Sequence, residues 1–192
     1  MSNPINISCV IIVKNAACTI NETLDSLKSF DDVVLYDNGS TDETLEIAKK
    51  YSNVNIVHGD FLGFGETKNH AASFAKNGWI LSLDSDEIVP PSLIEELKTL
   101  KLENEKEVFI IKRDNYFLDK EIKHSGWGKD FLTRIYNKNQ HAFNKNIVHE
   151  FVELKDDTKK TKLKNSFKHN AVQDINQFLQ KIIHYSDLAS KD

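Results

Sequence analysis

Cysteine is scarce in this chain. Of its 192 residues, two are thiols, Cys9 and Cys18. Their spacing suits neither a zinc site nor a redox pair, so metal clusters and disulfide frameworks are excluded as organising devices. Cys9 sits in the first apolar run and reads as a core residue. Long hydrophobic runs are missing as well. No stretch approaches the ~20 apolar residues of a membrane span. Met1-Ser2-Asn3-Pro4 lacks the build of a secretory leader, so a reducing cytoplasm is the expected location. Positive charge is not in excess either: 25 Lys and Arg stand against 29 Asp and Glu, a net charge of −4. That balance gives no general attraction to nucleic acid. Internal repeats and low-complexity segments are also lacking. What remains is an ordinary soluble composition with 28% charged residues and enough length to bury one core.

The chain is organised around residues 79–91. Trp79-Ile80-Leu81-Ser82-Leu83 is a short, mostly apolar run that stops in Asp84-Ser85-Asp86-Glu87. It reads as a buried strand delivering carboxylates to its C-terminal end. Open α/β sheets bind ligands at that edge. Two aspartates one residue apart, just past a strand, can share a divalent cation with a phosphate oxygen. A hard cation completed by a diphosphate suits that geometry best.

The flanking sequence supplies the rest of a sheet. Ile5 to Val13 is almost continuously apolar, as expected of a central strand. Thr19 and Glu22 have capping-box spacing ahead of an Ile20, Leu24, Leu27 stripe. Val33 to Tyr36 reads as a second strand, with Ser40 and Glu43 capping a helix to about Tyr51. Val54 to Val57 is a third strand, Glu66 to Lys76 a third helix, and a fourth helix begins near Pro91. Such alternation with short links predicts an α/β fold with a doubly wound, mostly parallel sheet and helices on both faces. Beyond Glu103 the rhythm changes. Val108 to Lys112 and Phe131 to Tyr136 read as strands separated by a long loop holding His124, Trp127 and Gly128. Lys159, Lys160, Lys162, Lys164 and Lys168 form a basic run. Ile175, Phe178, Leu179, Ile182 and Tyr185 then mark an amphipathic helix. The expected organisation is a 1–103 nucleotide-binding half, a 104–170 acceptor-side half of the same domain, and a 171–192 C-terminal helix.

Several residues could carry chemistry. Asp37, ending the second strand, is either an acceptor for a nucleotide base or ribose, or an acid serving the next helix N-terminus. Asp84 and Asp86 are either metal–diphosphate ligands or solvated turn acids. Gly63-Phe64-Gly65-Glu66-Thr67-Lys68 is a poor dinucleotide fingerprint, because Lys68 stands where the third glycine belongs. Lys68 is a phosphate-facing charge or an ordinary lysine. Glu150 is a general base or a surface acid. His124, His149 and His169 could touch metal or phosphate, and Trp127 could stack a ligand or pin its own loop.

These residues occur in a familiar order. Ile11-Ile12-Val13-Lys14-Asn15, Tyr36-Asp37-Asn38-Gly39-Ser40-Thr41-Asp42, Lys68-Asn69 and Asp84-Ser85-Asp86 resemble the motifs of a family 2 glycosyltransferase with the GT-A fold. In the second half, Arg113-Asp114-Asn115-Tyr116-Phe117, Ile122 to Trp127, Arg134-Ile135-Tyr136 and Val148-His149-Glu150 resemble the branch of bacterial lipopolysaccharide-core β-1,4-glucosyltransferases. Departures are Val13-Lys14-Asn15 where many members have Thr-Tyr-Asn, and Asn38 in place of an acid.

The resemblance implies an inverting transfer of a hexose from a nucleotide sugar, UDP-linked as a first expectation, to a saccharide or lipid-linked saccharide acceptor, with Mg2+ or Mn2+ as cofactor. Val13, Asn15, Asp37, Lys68, Asp84 and Ser85 would bind the nucleotide sugar. Asp86, with Asp84, would hold the metal. Glu150 would be the base, with Asp130 a weaker candidate. His124, Trp127, Arg134 and His149 would lie on the acceptor side. The lysine run and final helix suggest peripheral contact with the cytoplasmic face of an anionic inner membrane, or simply a solvated face. Two alternatives stand beside this: a haloacid-dehalogenase-like phosphatase with Asp84 as nucleophile, and a sugar-nucleotide-binding module without turnover.

Overall fold

The computed structural model describes residues 5–118, 120–124, 126–146 and 150–172, together with Leu179 and Ile183. Strands β1 (Ser8–Val13), β2 (Val33–Asp37), β3 (Val54–His58) and β4 (Trp79–Leu83) alternate with helices α1 (Ile20–Ser26), α2 (Thr44–Ala48) and α3 (Phe64–Ser73). All four strands run parallel, in the order β3-β2-β1-β4. Every residue of β2 and β4 is buried, the signature of strands covered on both faces.

The second half extends the same sheet. After β5 (Glu87–Ile88) and α4 (Pro91–Leu97) come β6 (Glu107–Phe117), β7 (Lys120–Glu121), β8 (Asp130–Asn137) and β9 (Lys159–Val172). The result is one nine-stranded sheet, β3-β2-β1-β4-β8-β6-β9-β5, with β7 paired to β6. β8 runs antiparallel to both β4 and β6, and β9 returns parallel to β6. The sheet is therefore mixed but mostly parallel. Its two faces carry separate cores. Ile20 and Leu24 of α1, Ala48 of α2, and Leu93, Ile94 and Leu97 of α4 pack on one face with Leu35, Phe109 and Phe167. Ala71 and Ala72 of α3 pack on the other with Val10, Tyr136, Phe143 and Val152. Helices thus cover both faces, as the alternation predicts.

Local expectations fare less evenly. Neither capping box forms. Thr19 makes no side-chain cap, and α2 starts at Thr44, because the Ser40 N–H donates to Asp37 and its hydroxyl accepts from Asn15. The strand expected over 108–112 runs on to Phe117, and the long loop after it contains β7 and a 3₁₀ turn at Gly126–Lys129. The basic run is part of a 14-residue strand. Of the expected 171–192 helix, Ala171 and Val172 instead end β9, Leu179 and Ile183 are helical and exposed, and the remainder lies outside the described residues. Among the described residues, no helix is long and apolar enough to cross a membrane.

Candidate functional site

The site starts from sheet register. β1 lies between β2 and β4, pairing Val13 with Asp37 and Ile11 with Leu83. Asp37 and Asp84 therefore leave the sheet at neighbouring positions on its C-terminal edge. Asp37 is 2% exposed. It accepts hydrogen bonds from the backbone N–H groups of Gly39 (3.2 Å) and Ser40 (3.0 Å) and faces His58 Nδ1 at 3.3 Å. Burial pushes its carboxyl up, but those donors outweigh burial and hold it below the usual range. The turn needs Gly39 at φ +87°, where a side chain would be strained. Asn15 binds this turn to the end of β1: its N–H donates to Ser40 Oγ and its Oδ1 accepts from the Thr41 N–H. Val13 is buried beneath them.

Lys68 joins two carboxylates. Its Nζ lies 2.9 Å from Asp84 Oδ1 and 2.7 Å from Glu150 Oε1, with its own side chain 3% exposed. Helix α3 delivers it by close docking against Phe143 and Asn144. A Cβ on Gly65 would stand 1.9 Å from the Asn144 carbonyl oxygen, so glycine is what permits the approach. One turn on, the Asn69 amide exchanges two hydrogen bonds with the Phe143 backbone, at 2.8 and 2.9 Å. Gly65, Lys68 and Asn69 share one helix face, and Lys68 also sits over the Phe143 ring. Glu150 Oε2 has no hydrogen-bond partner among the described residues.

A β-bulge supplies the second cation. Phe109 pairs with Ile135 but Ile110 with Thr133, leaving Arg134 as the extra residue of β8. Bulges re-aim side chains, and this one turns the guanidinium onto Glu87 (2.5 Å) and Asp84 (3.1 Å), against the Phe167 ring. Arg134 Nε is buried without a hydrogen-bond partner among the described residues. Burial raises the Asp84 carboxyl, yet Lys68 and Arg134 overcome it and hold it well below the ordinary value. Glu87 is fully buried and shifts the other way. Burial raises it, and the Asp84 charge adds to burial despite Arg134. It also accepts from the Asp84 N–H and from Arg113.

Arg113 passes the network on. Its Nε donates to Asp130 at 2.8 Å, and Asn115 Nδ2 donates to Asp130 and to the Trp127 carbonyl. With its amide nitrogen so engaged, Asn115 turns Oδ1 to His169 Nδ1 at 2.7 Å. Nδ1 must then carry the proton, which presents Nε2 to Asp86 Oδ2, 3.5 Å away. A histidine whose far nitrogen is fixed by an amide oxygen is how proteins orient metal-binding imidazoles. Among the described residues no three His, Cys, Asp or Glu side chains converge on one point. The donor set that fits a divalent cation is therefore Asp86 and His169, with substrate oxygens and water completing the shell.

The structure thus unites Asp84, Lys68, Glu150 and Arg134, and brings Asp86 to His169. Arg134 is buried with Asp84 and Glu87 instead of facing an acceptor. The Lys68 charge is likewise held by carboxylates. Asp130 is bound by Arg113 and Asn115, and the Ser85 carbonyl accepts from the Thr23 hydroxyl. Trp127 is 40% exposed and His124 is exposed. His149 lies outside the described residues. Sequence reasoning gave Glu87, Arg113 and Asn115 no role. Arg113 and Asn115 lie in the polar run Lys112-Arg113-Asp114-Asn115 and Glu87 directly follows the turn acids, so local sequence carries no signal of their burial.

Residues 8–158 match the family described as glycosyl transferase family 2. An uncharacterized glycosyltransferase of Rickettsia prowazekii is 30% identical over 201 residues, spanning 97% of this chain and 67% of the relative. The poly(ribitol-phosphate) beta-glucosyltransferase of Bacillus spizizenii is 32% identical over 114 residues, covering 53% of this chain and 18% of its own length. In structure, the chain resembles S. aureus TarS 1-349 in complex with UDP-GlcNAc, with a TM-score of 0.62 and 20% identity over 84% of this chain and 57% of that one. That likeness supports the GT-A fold expected from the motifs. These matches leave the phosphatase reading unsupported, and Asp84, closed between Lys68 and Arg134, is poorly set to be a free nucleophile. The chain belongs to glycosyl transferase family 2.

Proposed function

We propose that this chain transfers a hexose from a UDP-sugar to a saccharide acceptor with inversion at the anomeric carbon, using Glu150 as base. The observation that carries the reading is the placement of Glu150. One carboxylate oxygen is held by Lys68, and through it by Asp84, at the sheet edge where α/β folds bind ligands. The other oxygen is left to accept the proton of an acceptor hydroxyl. Lys68 fixes the position of Glu150. The hydroxyl oxygen then attacks the anomeric carbon from the face opposite the diphosphate, which leaves with the bonding electron pair. A placed base contributes ~10²–10⁴-fold.

Asp37, Asn15 and Val13 form the nucleotide end of the site, their turn held by Gly39 and Ser40. Asp86 and His169 would hold Mg2+ or Mn2+, which when bound offsets the charge of the departing diphosphate. His124 and Trp127, both exposed, would line the acceptor side. The second-half motifs point to lipopolysaccharide or another cell-surface glycan. Two relatives are named as acting on poly(ribitol-phosphate), also a repeating polymer. A lipid-linked acceptor would place the enzyme at the cytoplasmic face of a membrane. The test is release of UDP from UDP-glucose and UDP-N-acetylglucosamine, with water as acceptor. Metal-stimulated release that Glu150→Gln abolishes supports the reading, and release indifferent to that change overturns it.

A further inference from the structure

We propose that the outer face of β6, β8 and β9 is a docking surface for an anionic lipid membrane. Register defines the face. Ile110 pairs with Thr133 and Lys162, Lys112 with Phe131 and Ser166, and Asp114 with Lys168. Paired residues on neighbouring strands point to the same side. Two contacts confirm it: Lys162 Nζ lies 4.5 Å from the centre of the Phe131 ring, and Lys168 Nζ 4.7 Å from that of Tyr116. The reverse side of the same strands carries Phe109, Ile111 and Phe167 in the core. Lys160, Lys162 and Phe131 are exposed, at the margin of the α3-side core that ends on Val108, the register partner of Lys160.

The charge on this face is one-sided. Its acids are already matched: Asp114 by Lys112 at 2.6 Å and Glu121 by Lys123 at 3.5 Å. Lys160, Lys162 and Lys168 have no carboxylate partner among the described residues. On a chain of net charge −4, that local excess orients the molecule in a field.

The same charges select the occupant. An apolar protein segment packed here would have to bury three ammonium groups without partners, a heavy desolvation cost. A layer of lipid phosphates pairs with them while they stay hydrated, and half-exposed Phe131 suits the headgroup boundary. Overall acidity argues against a nucleic acid. This inference gives the lipid-linked acceptor reading a surface, but its observations are independent of the donor, the metal and Glu150.

The experiment is co-sedimentation of the chain with phosphatidylcholine vesicles, with and without phosphatidylglycerol, in the absence of substrates. Binding only to the anionic vesicles, weakening as salt is raised, is the expected result. Each lysine contributes roughly fivefold to partitioning. The triple Lys160→Glu, Lys162→Glu, Lys168→Glu variant should therefore lose at least about 10²-fold. The matching Lys→Gln variant, which removes the charge without reversing it, should fall between it and the parent. Equal partitioning of all three proteins overturns the proposal. So does salt-insensitive binding, which would indicate apolar insertion. Binding to soluble polyphosphate but not to vesicles would replace the membrane by a polyanionic chain. UDP release measured in parallel keeps a failure here distinct from a failure of the transferase reading.

Discussion

Lys68 Nζ and Glu150 Oε1 lie 2.7 Å apart across 82 residues of chain. The docking of α3 on Phe143 and Asn144 brings them together. Lys68 is almost fully buried, so its loss leaves Asp84 and Glu150 to repel each other beside a void. Lys68→Met should cost about 3 kcal/mol in urea unfolding, the lower end for a broken buried pair because Asp84 is partly solvated. The double variant Lys68→Met, Glu150→Gln should recover part of that loss, since the stranded charge is gone.

Arg134 faces a harsher balance, because Glu87 has no access to water. Arg134→Met should destabilise by ~3–5 kcal/mol. Arg134→Lys should recover only part, since the ammonium stands one bond nearer the backbone than Nη2, the nitrogen that reaches both Glu87 and Asp84. Chemical denaturation of the three proteins checks the order.

Asp86 and His169 make a prediction that needs no acceptor. Titrating Mn2+ by calorimetry in the presence of UDP should show a binding heat. Asp86→Ala should abolish it, and His169→Ala should weaken it by about 10-fold or more. Unchanged binding in both would remove the metal from this position.

Asp37 carries a pH signature. Its folded carboxyl sits below the ordinary value, so its stabilisation is present above the unfolded pKa of about 3.9 and lost as pH falls through the folded value. Asp37→Asn should therefore be less stable than the parent by about 2 kcal/mol near neutrality. The gap should close as unfolding is repeated at progressively lower pH below about 4.

The first hundred residues were legible because burial on both faces leaves continuous apolar runs ending in acids, as at Trp79–Leu83 and Asp84. The second half was not, for a physical reason. Arg113, Asn115 and Arg134 are polar residues in strand interiors, stabilised by Glu87 and Asp130, and their partners lie far off in sequence. β9 alternates lysine with Thr161 and Leu163, a period of two that the charge run conceals. Glu150 could be named from its motif, yet its pairing with Lys68 depends on Gly65 and Asn69, whose contacts are tertiary.

The central claim is that Glu150 removes the acceptor proton while the Asp37–Asp84 edge binds the nucleotide. Glu150→Gln tests it most directly, by comparing UDP-sugar affinity with the rate of UDP release in the same protein. Affinity within about threefold of the parent and release reduced by ~10²–10⁴-fold is the predicted result. Near-parental release would contradict the account.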